Sequence, residues 1–305
     1  MKISLVIPLY NEQELIGELV QRSVAALKGI TDDFEILFVD DGSRDLTLRR
    51  LLEYRSVEPR IKVLELSKNF GHQAAFTAGL SLAKGEFVAM MDGDLQDPPE
   101  RIPEMFGMLQ SGDYDVIYAK RTNRVDFSSR NLQALLFHKS FTRMSGLSDM
   151  DKTGNFSMMN RAALSALLQF SETTRYMPGL RSYIGYRQGF ILYNRDDRLR
   201  GKSKMKWSKL LGLSSDAIFS FSKLPIRICL YLGLTGIIVF FLAGIYTLIA
   251  KIAGFAIIGW SSTLLSIYFL GSIQLTFLGV LGEYIYRIYK EIQRRPLYLV
   301  RKFNE

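Results

Sequence analysis

The sequence predicts an α/β domain built on a parallel sheet and followed by two membrane-spanning helices. Three observations carry that prediction. Short, wholly apolar strands alternate with helical segments over the first half of the chain, the pattern of strands buried on both faces. The stretch Phe87–Pro99, FVAMMDGDLQDPP, begins as such a strand and then delivers two carboxylates, Asp92 and Asp94, separated by one glycine. Residues 225–281 are almost purely apolar, with Arg227 and Lys251 and no acid; a hydrocarbon core asks for about 20 apolar residues per helix.

Taken in order, Ile3–Pro8 is the first strand. Asn11 is placed to cap a helix running to about Leu27, with Leu15, Ile16, Leu19, Val20 and Val24 along its apolar face. Glu35–Val39 is a second strand and ends in Asp40-Asp41-Gly42-Ser43; Ser43 or Asp45 caps a helix over Leu46–Arg55. Ile61–Leu66 is a third strand, Lys68–His72 a loop and Gln73–Ala83 a helix. Phe87–Met91 is the fourth strand. Tyr114–Ala119 reads as another, and Leu132–Met144 as an amphipathic helix. Asp149–Phe156 is a polar approach to an apolar segment, Ala162–Gln169 a helix and Gly185–Asn194 a strand. In parallel sheets ligands bind outside the carboxyl ends of the strands. Three polar clusters fall there: Pro8–Glu12, Asp40–Asp41 and Asp92–Gln96. Each alone reads equally well as a strand end or an Asx-type turn. Their convergence at one edge is the signal.

In extended chain alternate residues point the same way, so Asp92 and Asp94 can face one small cation, with Gln96 adding a neutral oxygen. Gly93 lets the backbone approach a ligand closely. Hard oxygen ligands suit Mg²⁺ or Mn²⁺ bridging to substrate phosphates. Arg121, Arg124 and Arg130 follow the Tyr114–Ala119 strand, and guanidinium forks bind phosphate oxygens well. The chain carries no P-loop signature, no dinucleotide fingerprint after the first strand and no nucleophile elbow. The two histidines, His72 and His138, read as loop and surface residues. The single cysteine, Cys229, excludes a disulfide framework.

The length of 305 residues accommodates one or two domains. The net charge of +9 has its excess in Arg195–Lys209 and Arg287–Lys302, on either side of the apolar region. That placement points to an anionic membrane surface and phosphorylated substrates, not to nucleic acid. The run RDDRLRGKSKMKWSKLL holds seven Lys/Arg against two Asp. With Trp207 and the apolar face of Leu210–Phe221 it reads as a helix lying in the membrane interface. Two spans follow, roughly Ile226–Ala250 and Ile257–Leu281, joined at Lys251–Ala256. Basic residues crowd the outer ends, so both ends are expected in the cytoplasm. Trp260 and Tyr284, Tyr286 and Tyr289 fit aromatic belts, and Gly233, Gly236 and Gly271 permit self-association into a homo-oligomer. The start, MKISLVIPLYNE, does not have the pattern of a signal peptide. The expected division is a cytoplasmic catalytic domain over 1–205, an interfacial helix over 206–224, two transmembrane helices over 225–282 and a cytoplasmic tail over 283–305.

Five motifs together resemble a known family: Pro8-Leu-Tyr-Asn-Glu12, Val39-Asp-Asp-Gly-Ser43, Asp92-Gly-Asp94-Leu-Gln96, Arg198-x-x-Gly-x-Ser-Lys204, and Gly282-Glu-Tyr with Arg295-Pro-Leu-Tyr298. The chain is similar to the family 2, GT-A-type glycosyltransferases that act on polyprenyl phosphates. Among these it most resembles the bacterial undecaprenyl-phosphate glucosyltransferases of O-antigen modification, and dolichyl-phosphate mannose synthase is a relative. The resemblance implies a Rossmann-like GT-A domain at the cytoplasmic face of the inner membrane. It implies that Pro8, Tyr10, Glu12, Val39 and Asp41 hold the nucleoside, and that Asp92, Gly93 and Asp94 lie at the diphosphate. Asp94 and Gln96 would hold Mg²⁺ or Mn²⁺, with Asp92 close to it. Arg121, Arg130 and Arg198 would bind phosphates, with Lys204 assisting. The implied partners are a nucleotide-sugar donor, UDP-glucose foremost, and polyprenyl phosphate in a lipid bilayer.

One departure stands out. Where the family often has Gly-Asp-Phe, this chain has Gly154-Asn155-Phe156. An amide is no base at neutral pH. Either Asp151 or Asp149 substitutes, or the ionised phosphate acceptor needs none. Other readings are a different lipid acceptor such as a diacylglycerol hydroxyl, or a non-catalytic membrane scaffold.

Overall fold

In a computed structural model the described residues are 2–121, 153–173, 175–193, 224–253 and 259–305. The expectations placed on Arg124, Arg130, His138, Asp149, Asp151, Arg198 and Lys204, on the Leu132–Met144 helix, and on the interfacial helix apart from residue 224, lie outside them. The described residues form two compact units, a sheet domain that includes Arg295–Glu305 and a helical unit.

The sheet domain begins β1 (Ile3–Leu9), α1 (Ile16–Lys28), β2 (Phe34–Asp40), α2 (Thr47–Val57), β3 (Ile61–Leu66), α3 (His72–Leu82) and β4 (Phe87–Met90). It continues through a 3-10 turn (Pro99–Arg101), α4 (Ile102–Gln110), β5 (Val116–Arg121), β6 (Thr153–Asn160), α5 (Arg161–Leu168), α6 (Met177–Tyr183) and β7 (Gln188–Tyr193). The eight-stranded order is β7-β5-β6-β4-β1-β2-β3-β8, where β8 is Val300–Asn304.

The period of two along β1 sorts its side chains onto two faces. Ile3, Leu5, Ile7 and Leu9 pack with Ile16 and Leu19 of α1, Leu51 of α2 and Ile102 and Met105 of α4. Val6 faces the other way, with Val39, Met90, Phe76 of α3, Leu164 of α5 and Leu180 of α6. Within the sheet, Ser4, Glu35 and Lys62 form a buried polar link. Ser4 Oγ donates to Glu35 Oε1 at 2.6 Å, and Lys62 Nζ lies 2.7 Å from Oε2.

The sheet is mixed, not parallel throughout. β1 runs parallel to β2 and β4, and β2 to β3, but β6 is antiparallel to β4 and β5, and β8 is antiparallel to β3. Asn11 does not cap α1: its φ is +54°, and its Oδ1 accepts from Arg44 N at 2.8 Å. The helix starts later, after Leu15, with no side-chain cap. Neither Ser43 nor Asp45 is the cap of α2: its N-cap is Leu46, without a side-chain cap bond, and Asp45 Oδ1 accepts from Thr47 N at 3.0 Å from just outside the helix. The strand β8, which follows the second apolar helix, was not foreseen, because Val300–Asn304 carries Arg301 and Lys302 and has no apolar run.

The helical unit holds α7 (Leu224–Ile252) and α8 (Trp260–Ile292). Cys229–Tyr246 and Ser266–Ile292 are long and apolar enough to cross a membrane, and their apolar side chains are largely exposed. The expected spans fall on these helices, and α8 runs beyond Leu281 as the sequence indicated.

Candidate active site

The site is built at the carboxyl ends of β1, β2, β3 and β4. The loops after β1 and β2 are laced together: Asn11 N donates to Ser43 Oγ at 3.0 Å, Glu12 N to Thr47 Oγ1 at 2.9 Å and Leu46 N to Gln13 Oε1 at 2.9 Å. Pro8 and Val39 are buried, Glu12 is half-buried and Tyr10 stands exposed above them. Asp41 is buried. Its two oxygens accept from Phe70 N at 2.7 Å and Gly71 N at 2.9 Å, which ties the loop after β3 to the end of β2. Burial pushes its pKa up, against those two hydrogen bonds. Asp40 is also raised, first by burial. Gly42 is required by geometry: its φ is +69°, and a Cβ there would lie 2.6 Å from the Lys68 carbonyl carbon.

After β4 the acidic turn keeps the strand's alternation. Asp92, Asp94 and Gln96 are partly exposed, while Gly93, Leu95 and Asp97 are buried. The three expected ligands therefore share the solvent side. Gly93 packs so closely on β1 that a Cβ would meet Leu9 Cδ2 at 2.3 Å and the Pro8 carbonyl oxygen at 3.0 Å. Leu95 takes φ +58°, and Gln96 N donates to Asp94 Oδ1 at 3.2 Å. Below the turn, Tyr193 Oη donates to the buried Asp97 Oδ1 at 2.5 Å. Because Tyr193 closes β7, that bond anchors the turn to the strand leading into the basic run.

His72 lies at this site; it is exposed, as expected of a surface residue, but it opens a helix instead of standing in a loop. It opens α3, and its Nε2 lies 2.8 Å from Asp92 Oδ1, which places the ring proton on Nε2. Burial lowers its pKa, but the hydrogen bond and charge of Asp92, then Asp94 and Asp41, carry it above the ordinary value. Asn155, on β6, donates from Nδ2 to the same Asp92 oxygen at 3.1 Å. Gln73 Nε2 in turn reaches Asn155 Oδ1 at 3.4 Å, and Met177 N donates to Gln73 Oε1 at 3.0 Å. One side of Asp92 is thus fixed from α3, β6 and α6. Arg181 of α6 is buried, with its pKa lowered to about 10 by desolvation. It packs 5.1 Å from the Tyr118 ring centroid, and its Nη1 is 3.4 Å from the carbonyl oxygen of Gly154, the residue before Asn155. Arg121 ends β5, in register with Tyr193.

The structure thus brings Pro8, Tyr10, Glu12, Val39, Asp41, Asp92, Gly93, Asp94 and Gln96 to one sheet edge. Sequence reasoning missed His72, Gln73 and the Tyr193–Asp97 bond. The rule that found the other loops, chemistry at the carboxyl ends of strands, covers the loop after β3 equally. Among the described residues no three His, Cys, Asp or Glu side chains converge as a metal site. Two carboxylates and an amide oxygen on one side of a turn nevertheless fit a cation such as Mg²⁺, which keeps several positions for water and phosphate.

The α/β sheet, with acidic turns and laced loops at its carboxyl edge, has the GT-A architecture. Residues 4–168 match the model of "Glycosyl transferase family 2", and the chain belongs to that family. It is 39% identical over 302 residues to an uncharacterized glycosyltransferase of Synechocystis sp., covering 98% of this chain and 95% of the relative. It is 37% identical over 306 residues to the SfII prophage-derived bactoprenol glucosyl transferase of Shigella flexneri, covering 99% and 98%. The fold also matches glucosyl-3-phosphoglycerate synthase from Mycobacterium tuberculosis, solved with Mn²⁺, UDP and phosphoglyceric acid. There the TM-score is 0.53 at 17% identity, over 72% of this chain and 76% of that one.

Proposed function

We propose that this chain transfers glucose from UDP-glucose to a polyprenyl phosphate such as undecaprenyl phosphate, at the cytoplasmic face of the membrane. The observation that carries the reading is the end-to-end likeness to a relative named for bactoprenol glucosyl transfer, in a chain whose α7 and α8 are apolar enough to reach a lipid acceptor. The basic residues flanking these helices support a cytoplasmic domain.

In the reaction an oxygen of the lipid phosphate attacks C1 of the sugar, and the C1–oxygen bond to the nucleoside diphosphate breaks. Direct displacement inverts C1, giving a β-linked product from an α-linked donor. The nucleophile is already ionised near neutral pH, so no enzymic base is needed and an amide at Asn155 is compatible with turnover. Asn155 and His72 instead hold Asp92 in place through its Oδ1. Tyr10 and the loops after β1 and β2 would receive the nucleoside, and Arg121, Arg130, Arg198 and Lys204 the phosphates. Asp94 and Gln96, with Asp92 beside them, would hold Mg²⁺ or Mn²⁺, which supplies charge neutralisation for the leaving diphosphate.

The test is transfer from radiolabelled UDP-glucose to undecaprenyl phosphate by purified protein in detergent, with and without divalent metal. A metal-dependent labelled lipid is expected, and Asp94→Ala should lower its formation by about 10²-fold or more while circular dichroism is unchanged. Labelled diacylglycerol in place of labelled polyprenyl phosphate would overturn the acceptor assignment. Full activity of Asp94→Ala would overturn the metal role.

A further inference from the structure

A polar recess of about 270 Å³ lies beside Tyr10. Its walls include Asp40 at the end of β2, Ser43 and Lys68 from the loops after β2 and β3, and Arg301 from β8. Two features mark it as built for a ligand. Asp40 is buried at its wall, and its Oδ1 has no hydrogen-bond partner; such a group is costly unless a ligand completes it. Arg301 is pinned in place, with Nη1 donating to Glu65 Oε1 at 3.0 Å and Nη2 to the Ser67 carbonyl oxygen at 3.1 Å. A guanidinium has five N–H donors, so these two bonds leave others for a ligand.

We propose that β8 forms one wall of the nucleotide-donor pocket and that Arg301, with Asp40, reads the edge of the base. Arg301 donates to a ring carbonyl and Asp40 accepts the neighbouring ring N–H, with the base lying against Tyr10. That donor–acceptor pair selects an imide-type edge, which uracil presents and cytosine does not. Cytosine offers a bare ring nitrogen to Asp40 and an amino group to Arg301. The inference rests on the nucleotide-sugar reading above and adds to it a specificity-determining residue from a strand that follows the two apolar helices in the sequence.

The experiment is calorimetric titration of UDP and CDP into the full-length protein in detergent, comparing wild type, Arg301→Ala and Lys302→Ala. Lys302 neighbours Arg301 on β8, does not line the recess and controls for disturbance of the strand. Wild type is expected to prefer UDP. Arg301→Ala should weaken UDP about tenfold, the loss of one charge-assisted hydrogen bond, and leave CDP unchanged, while Lys302→Ala leaves both unchanged. An unaltered UDP-to-CDP preference in Arg301→Ala overturns the inference, whether both affinities hold or both fall together. Wild-type protein that binds neither nucleotide overturns the donor reading itself.

Discussion

At Asp92 Oδ1, two hydrogen bonds meet: from His72 Nε2 at 2.8 Å and from Asn155 Nδ2 at 3.1 Å. A carboxylate fixed on one side can present its remaining lone pairs in one direction only, which is what a ligand to a cation or a diphosphate must do. Asn155→Asp would place a second carboxylate against the first. Like charges at that distance disfavour one another, so turnover should fall at neutral pH, by about tenfold or more for a displaced Asp92. A rise in turnover would instead show that an enzymic base limits the native reaction. Asp92, Asp94 and Gln96 were legible in the sequence as polar groups at the end of an apolar strand, although the chain that carries them turns, with Leu95 at φ +58°, and is not extended. His72 was not, because its role depends on Gly71 and α3 bringing residue 72 beside residue 92, a tertiary fact without a local pattern. Asn155 was visible as a departure, but its donation to Asp92 was not.

Among the elements, the strands on which the site depends are those whose apolar runs made them plain: β1, β2, β3 and β4. Their boundaries moved by a residue or so, and Asn11 failed as a cap because its amide serves the loop after β2 instead. β6 was not read as a strand, because its first half, Thr153-Gly154-Asn155, is polar and reads as a loop approaching an apolar segment. Close packing of the acidic turn on β1 makes Gly93→Ala severe: a Cβ 2.3 Å from Leu9 Cδ2 forces the turn outward. Overpacking of this kind costs about 1–3 kcal/mol, and the expected readout is lost metal-dependent nucleotide binding together with a lower melting temperature. Removing Glu35 from the sheet should cost about 1–3 kcal/mol, since Ser4 Oγ and Lys84 N lose their acceptor and the half-buried Lys62 its counter-charge; thermal unfolding of Glu35→Ala measures it. At the opposite end of the sheet, Asp115 collects Asn160 Nδ2 at 2.9 Å, Arg187 N at 3.1 Å and Arg187 Nε at 3.2 Å, joining the starts of β5 and β7 to the end of β6. The hydrogen bond from Arg187 holds its carboxyl below the ordinary value of 3.8. A depressed folded-state pKa gives stability that is present above the unfolded value and lost as pH falls through the folded one. The melting temperature of Arg187→Gln should therefore lie below that of wild type at pH 7, and the gap should close as the pH drops below 3.8.

Across the whole molecule, the chain leaves the sheet domain, forms α7 and α8, and returns to the sheet as β8. The two apolar helices were the most legible part of the sequence, because composition over a long window needs no tertiary information. The return was the least legible, since β8 gains its place by pairing with β3 rather than through its own composition. Ser81 Oγ and Tyr298 Oη at 2.8 Å, and Lys84 Nζ and Glu305 Oε1 at 3.0 Å, add side-chain ties to that pairing. Deleting residues 295–305 should expose the β3 edge. The expected outcome is a melting temperature about 5 °C lower or more, with concentration-dependent aggregation measured by light scattering. The pairing of Val63 with Asn304 joins residues 241 positions apart. At about 5–20 residues per second, a ribosome needs on the order of tens of seconds to pass from one to the other. Throughout that interval β3 is an unpaired edge of the nascent sheet, a template for unwanted pairing. β8 pairs with β3 only after both apolar helices have been synthesised, so the sheet that β1 begins gains its last strand long after the other seven.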